Sequence, residues 1–333
     1  MSEILVTGGA GYIGSATVDA LCEKGRKVVV LDSLVAGHRK AVHKDAVFYE
    51  GDIANRQLLM EIFKQHNIES VIHFAAFIAA PESVADPAKY YRNNVVGSLE
   101  LLDAIRTSGI TKIVFSSTSA VYGEPQYLPM DEMHSQTPTS PYGLSKLFVE
   151  HILDSFDAAY GVKHVALRYF NACGATHALG EDHSPETHLM PLVLQAAMGK
   201  RPHISIYGTD YPTPDGTCVR DYIHISDLAQ AHLLALDYLD KKIAGPKSQK
   251  INLGNGEGFS VRQIIEAARK VTNKHITVKE ELRRAGDPSQ IWASAEKARE
   301  ILGWAPQYTD IHEIIQTAWE WHTRNPEGYF TRE

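Results

Sequence analysis

"LVTGGAGYIGSAT", residues 5–17, runs from an apolar stretch into a glycine loop and out into a helix-like pattern. Gly9, Gly11 and Gly14 satisfy G-x-G-x-x-G, and Gly8, Gly11 and Gly14 satisfy G-x-x-G-x-x-G. Glycines so spaced let backbone N–H groups and a helix N-terminus come against a pyrophosphate. The pattern alone says little, because any tight strand-to-helix turn favours glycine. Its context says more. "KVVVLD" at 27–32 reads as a second strand and ends on Asp32. That is about 20 residues on, where a carboxylate holds the adenosine ribose of a dinucleotide. An acid in this position favours NAD over NADP.

Further apolar, β-branched runs follow: "VFYEGD" at 47–52, "SVIHFAA" at 70–76, "KIVFSST" at 112–118 and "HVALRYF" at 164–170. Most are separated by stretches of helical period such as "NVVGSLELLDAIRTSG". Runs without clean alternation belong to strands covered on both faces, so the reading is an α/β, doubly wound parallel sheet of Rossmann type. After residue 171 the rhythm breaks into loops rich in Gly, Pro, Asp and His. The expected division is an NAD-binding domain over 1–171, with 220–255 returning to it. A smaller α/β substrate domain is expected over 172–219 and 256–333.

Composition sets the outer bounds. The chain has 333 residues, 44% hydrophobic and 22% charged, enough for two medium domains. Its net charge of -7 argues against nucleic acid as a partner. No apolar run approaches the roughly 20 residues of a membrane span. The N-terminus enters a strand almost at once, so a cytoplasmic location is expected. Cys22, Cys173 and Cys218 are far apart, form no CxxC and suggest neither a disulfide framework nor a zinc site. No metal is expected.

Chemistry should sit outside the carboxyl ends of the strands. The fifth run ends in the hydroxyl cluster "SSTSAVYG" (116–123), followed by "SPYGLSK" (140–146) at a helix start. Tyr142 and Lys146 are one helical turn apart and share a face. A lysine cation beside a phenol favours the phenolate, which would draw the Tyr142 pKa down. Tyr238 and Lys242 have the same spacing, but no strand-end hydroxyls precede them.

"TGGAGYIG", "GD" at 51–52, "HFAA" at 73–76, "NN" at 93–94, "SSTSAVYG", "SPYGLSK" and "RYFNACGA" resemble the extended short-chain dehydrogenase/reductase superfamily. Within it, "HLMPLV", "YGTDYPTPDGTCVRDYIHISDLA", "NLGNGEGFSV" and "RRAGDP" resemble the UDP-glucose (UDP-galactose) 4-epimerases. The likeness runs from residue 4 to about 323.

The resemblance implies an isomerase with tightly bound NAD that inverts C4 of a UDP-hexose through a 4-keto intermediate, paired as a homodimer through helices near 84–107 and 143–160. It places Gly8, Gly11, Tyr12, Ile13 and Gly14 on the pyrophosphate, Asp32 on the adenosine ribose, and Asp52 and Ile53 beside the adenine. Phe74, Ala75, Ala76 and Asn93 line the cofactor further along, with Phe170 near the nicotinamide. Thr118 and Tyr142 face the sugar 4-hydroxyl, and Lys146 bonds the nicotinamide ribose. Asn171, Arg220 and Arg284 hold the diphosphate, His188 and Leu189 meet the uracil with Tyr207 close by, and Asp287 holds the uridine ribose. Ile291 borders the group at C2 of the hexose.

Threonine stands at 118 where serine is common in the family. Ile78 stands where some members have lysine, and Ala79-Ala80-Pro81 stands where "VG" is frequent. The alternatives left open are a 4-epimerase of UDP-glucuronate or UDP-N-acetylglucosamine, a nucleotide-sugar lyase, and a non-catalytic NAD sensor. Dehydratases of this fold carry an Asp–Glu pair after the strand-end threonine. Here Ser119 and Ala120 follow Thr118.

Overall fold

Six of the apolar runs are parallel strands: β1 Glu3–Thr7, β2 Lys27–Asp32, β3 Val47–Glu50, β4 Ile68–His73, β5 Lys112–Ser116 and β6 Lys163–Arg168. They are seen in a computed structural model that describes residues 2–241, 247–284 and 287–330. A seventh strand, Gln249–Asn252, pairs in parallel with β6, so the order from one edge is β3, β2, β1, β4, β5, β6 and then Gln249–Asn252.

Alternate residues explain why these runs are apolar throughout. Ile4, Val6, Val28 and Val30 point into one core, shared with Leu21 of the Tyr12–Glu23 helix and Leu228 of the Ile225–Asp240 helix. Leu5, Val29 and Leu31 point into the other, with Leu59 of Arg56–Gln65, Leu101 of Ser98–Thr107 and Val149 of Pro141–Tyr160. A strand buried on both faces has no polar side to alternate.

A third core, outside the main sheet, joins the helices Leu189–Ala197, Val261–Thr272 and Ile311–Arg324. Beside it lie two small sheets, Ile204–Tyr207 with Val278–Glu281, and Val219–Arg220 between Phe259–Ser260 and Gln290–Ile291. One expectation changes. Among the described residues of 220–255 only the Gln249–Asn252 strand enters the main sheet. Tyr222–His224 pairs instead with Asn171–Cys173 in a separate two-stranded sheet. The cause is local: both the backbone N–H and the side-chain amide of Asn171 donate to the Asp221 carbonyl, at 3.2 and 2.9 Å.

The Pro141–Tyr160 helix is fixed to the sheet by a buried ion pair. Glu150 and Arg168 are 0% and 1% exposed, and the Arg168 Nε donates to Glu150 at 2.9 Å. Ser117 donates to the same carboxylate at 2.6 Å, and Arg168 also donates to the Tyr122 hydroxyl at 2.8 Å. Arg168→Met leaves the Glu150 carboxylate buried without its cation. It should cost about 3–5 kcal/mol in chemical denaturation. The double change Glu150→Leu with Arg168→Met should recover much of that loss.

Candidate active site

The strand order reverses between β1 and β4, and the glycine loop occupies that switch point. Gly8 has φ +74°, and a Cβ on it would lie 2.6 Å from the Ala75 nitrogen. A Cβ on Gly14 would lie 2.1 Å from the Gly8 carbonyl oxygen. Gly11 is the N-cap of the following helix and brings no side chain to cap it. The first N–H to return into that turn is that of Ser15, to the Gly11 carbonyl at 2.8 Å, and the opening turn is shaped for a phosphate. The Tyr12 phenol turns away and donates to the Gly174 carbonyl at 2.6 Å. Backbone, not phenol, is what Tyr12 and Ile13 offer the cradle.

Asp32 is buried at the end of β2 and accepts from the N–H groups of Ala10 and Leu34, at 2.9 and 2.8 Å. Burial pushes its pKa up, and the two N–H groups oppose that rise. Asp52 is exposed and accepts from the Ala54 N–H at 2.8 Å, while Ile53 is buried against Gly97. The Phe74 and Ala75 N–H groups both donate to the Thr7 carbonyl, at 2.9 and 3.2 Å, with the half-buried Ala76 next in line. Glycine cradle, uncapped helix start and strand-end carboxylate together fit NAD.

Asn93 donates to Asn94 at 2.9 Å, and the buried Asn94 carries the structural load. Its amide accepts from the Phe77 N–H at 2.9 Å and donates to the Phe77 carbonyl and the Ser145 hydroxyl at 3.0 Å each. Sequence reading quoted both asparagines and gave a role only to the first. It also missed Ser83, whose hydroxyl accepts from the Tyr142 N–H at 3.1 Å. Pro81 opens the short Ala80–Ala85 helix that carries Ser83, so the unusual Ala79-Ala80-Pro81 seats the Pro141–Tyr160 helix. Ile78 is exposed.

Ser140 caps the Pro141–Tyr160 helix, accepting from the Gly143 N–H at 3.2 Å, and Pro141 supplies the fixed φ of its first turn. The structure brings Tyr142 and Thr118 close enough for the threonine hydroxyl to favour the phenolate. It does not bring Lys146 to the phenol in the expected way. The Lys146 ammonium donates to the Ser116 carbonyl at 2.8 Å and stands 4.8 Å from the centre of the Phe115 ring. The expected fall in the Tyr142 pKa is therefore corrected. Burial raises it above the ordinary phenol value, and only the bond from Thr118 works to lower it. Burial also pulls Lys146 down to about 7, against the opposing pull of Glu150.

The other tyrosine of that spacing, Tyr238, is a core residue 6% exposed in the Ile225–Asp240 helix, and Lys242 lies outside the described residues. Phe170 and Ile291 pack together on the small cluster of Val121, Tyr122, Met130 and Leu147, just beyond the strand-end hydroxyls.

The remaining site residues meet in one cavity of about 220 Å³, lined by Asn171, His188, Leu189, Tyr207, Arg220, Arg284 and Asp287. Arg220 does not pair with its neighbour Asp221. It faces Asp287 at 3.5 Å, and Arg284 donates to the same carboxylate at 2.8 Å while lying 4.8 Å from the centre of the Tyr207 ring. Two guanidinium groups on one carboxylate leave a surplus positive charge facing the cavity, as a diphosphate requires. Asp221 is buried, takes the N–H groups of Asn255 and Ala293, and is pushed up to about 7 by burial.

Residues 5–318 match the family described as GDP-mannose 4,6 dehydratase. The UDP-glucose 4-epimerase of Lacticaseibacillus casei is 56% identical over 331 residues, 99% of each chain. The chain belongs to the UDP-glucose 4-epimerase family. Members of that family in the solved structures share the whole architecture. One is the Brucella ovis enzyme crystallised with NAD, 46% identical with TM-score 0.93 over 96% of this chain and 98% of that one. Another, from Bifidobacterium longum with NAD+ and UDP, is 39% identical with TM-score 0.92 over 98% and 100%. The dehydratase-named match reflects the shared superfamily fold, since Ser119 and Ala120 stand where the dehydratase acids would be.

The Thr118–Tyr142 bond can be tested without substrate. Thr118→Val removes the one interaction that favours the phenolate, so Tyr142 should ionise at higher pH. Ultraviolet difference titration against Tyr142→Phe isolates that phenol. Superimposable curves for Thr118→Val and the parent would show that the two hydroxyls are not bonded.

Proposed function

We propose that the protein interconverts UDP-glucose and UDP-galactose by inverting C4 of the hexose, with NAD held in the glycine cradle. The observation that carries this is the Thr118–Tyr142 hydroxyl pair at the carboxyl edge of the sheet, in a chain whose nearby cavity is walled by Arg220 and Arg284. The chemistry NAD supplies when bound is a reversible two-electron oxidation of C4 to a ketone. Tyr142, as phenolate, takes the 4-hydroxyl proton and later gives it back. Thr118 donates to that phenolate and orients the sugar hydroxyl. Lys146 holds the nicotinamide ribose, and Phe170 flanks the nicotinamide. Asn171, Arg220 and Arg284 grip the diphosphate, so the sugar can turn and present its other face. His188 and Leu189 hold the uracil beside Tyr207, and Asp287 the uridine ribose.

The same reading divides the chain into a cofactor half and a nucleotide-sugar half. It also places the protein in the cytoplasm as a homodimer. Among the described residues no helix is long and apolar enough to cross a membrane. Val84, Val96, Leu99 and Phe148 stand exposed on the helical segments expected to pair, which supports the dimer.

Because the oxidant is restored in every cycle, the purified protein should retain NAD and convert UDP-galactose to UDP-glucose with no cofactor added. Nuclear magnetic resonance of the sugar anomeric protons reads this directly. Protein that needs stoichiometric NAD for each turnover would contradict it. Tyr142→Phe should lower kcat about 100-fold or more, the usual worth of a positioned proton acceptor. Tyr238→Phe is the control and should change little. Lys146→Met should weaken the retention of NAD, because the ammonium that holds the nicotinamide ribose is lost.

Ile291 supports a preference for sugars without an N-acetyl group, since it packs on the same small cluster as Phe170 and cannot donate a hydrogen bond to an acetamide. Discrimination by hydrophobic bulk is limited to about 1–3 kcal/mol, so slow turnover of UDP-N-acetylglucosamine is expected. Ile291→Gly should raise that turnover selectively, and Ile291→Tyr should abolish it while sparing UDP-galactose. An unchanged ratio of the two activities in both variants would remove Ile291 from the sugar pocket.

A further inference from the structure

The loop that leads into the Leu189–Ala197 helix reads "EDHSPETH", residues 181–188, and it closes on itself. The His188 Nδ1 lies 2.9 Å from a Glu181 oxygen and 3.0 Å from a Glu186 oxygen. The His183 Nδ1 lies 3.3 Å from Glu181 and 3.6 Å from Glu186. Two nitrogens and two carboxylates therefore converge, with their ligand atoms all within 4.8 Å of one another. The Glu181 and Glu186 side chains are only 6% and 5% exposed. The His183 Nδ1 is buried without a hydrogen-bond partner. A buried ring nitrogen that faces two carboxylates at 3.3 and 3.6 Å without a hydrogen bond to either stands where a metal ligand would.

Tetrahedral coordination accounts for this arrangement. Four N and O ligands at about 2.0–2.2 Å from a metal lie about 3.4 Å from one another. The nitrogen–oxygen distances of 2.9 to 3.6 Å, taken to both Glu186 oxygens, and the 4.8 Å bound over all four ligand atoms leave the side chains a short movement from closing on one ion. Imidazole with carboxylate suits a first-row divalent ion, zinc above all. A divalent cation balances the two carboxylate charges, whose burial is otherwise costly. The outer shell is present too: the Glu186 carboxylate accepts from the N–H groups of Thr187 and His188, at 2.7 and 2.8 Å, which fixes one ligand in place.

We propose that Glu181, His183, Glu186 and His188 form a closed, structural site for one divalent transition-metal ion of the zinc class. Four protein ligands leave no open position for chemistry, so the ion braces the loop. The bracing reaches both halves of the molecule. The Tyr12 ring lies edge-on to His183, centres 6.3 Å apart, while Leu189 follows directly from the last ligand into the cavity wall. The ion would thus tie the pyrophosphate helix to the nucleotide-sugar cleft.

The test uses the full-length, untagged protein, stripped with chelator and then titrated with zinc in a calorimeter and with cobalt in a visible spectrometer. The expected result is one ion per chain, saturating at micromolar concentration or below, with the intense d–d absorption of tetrahedral cobalt and a higher Tm in zinc. His183→Ala and Glu186→Gln should each weaken binding roughly 100-fold or more and erase the cobalt band. The rival arrangement is two protonated histidines paired with two glutamates. It predicts no saturable binding up to about 0.1 mM, a weak octahedral cobalt spectrum and a Tm indifferent to zinc, and any of these overturns the site. Equal affinity in the parent and both variants overturns it as well. Should a variant fail to fold, the cobalt spectrum of the parent chain decides the question by itself.

Discussion

Everything reactive in this molecule hangs on the buried pair of Glu150 and Arg168. Glu150 is on the helix that carries Tyr142 and Lys146, and Arg168 ends β6. Around them Ser117, at the end of β5, donates to Glu150, and the Tyr122 hydroxyl passes the chain of bonds to Asn252 at 2.6 Å. One carboxylate thus fixes the height and rotation of a 20-residue helix against three neighbouring strands. Such pairs seldom add net stability over an apolar substitute, but their geometry is demanding. Here that demand sets where the first turn of the helix meets Thr118.

Burial, more than charge, governs the reactive groups before any ligand enters. Desolvation is the largest influence on both Tyr142 and Lys146, and it acts in opposite directions, raising the phenol and lowering the amine. Both shifts favour the neutral pair. The Lys146 ammonium finds its partner in the Ser116 carbonyl, and the phenol finds its partner in Thr118. The nearby His73 is held neutral in the same way, its pKa brought down to about 3 by burial and by Lys146, and it spans Thr7 and Ser98 at 2.7 and 2.8 Å. A positive charge placed against this neutral, low-dielectric pocket would act strongly on the phenol, because little water is there to screen it.

The cleft residues arrive from the other side by a different device. Asp221 is buried, receiving N–H groups from Asn255 and Ala293 while its own carbonyl takes both donors of Asn171. That junction sets Arg220 on the short strand beside Ile291, facing Asp287 and, through it, Arg284. The surplus positive charge of the wall comes from two separate stretches of chain, around Arg220 and around Arg284. The loop at 181–188 gathers charge in the opposite way, within eight consecutive residues.

What the sequence determined by itself was the part of the structure with a local cause. The strand runs, the glycine loop with Asp32, and the Ser140-Pro141 start of the Pro141–Tyr160 helix are all visible in short windows, because backbone sterics and burial of both sheet faces act over a few residues. The family motifs carried the cavity residues as far as their numbers. Tertiary structure decided the rest. It turned Lys146 toward Ser116, gave Asn94 and Ser83 their tasks, kept Tyr222–His224 out of the main sheet and folded Glu181 and Glu186 onto two histidines. The physical reason is common to all of these. A hydrogen-bond partner or a desolvation cost depends on which distant segments pack around a group, and no spacing along the chain encodes that.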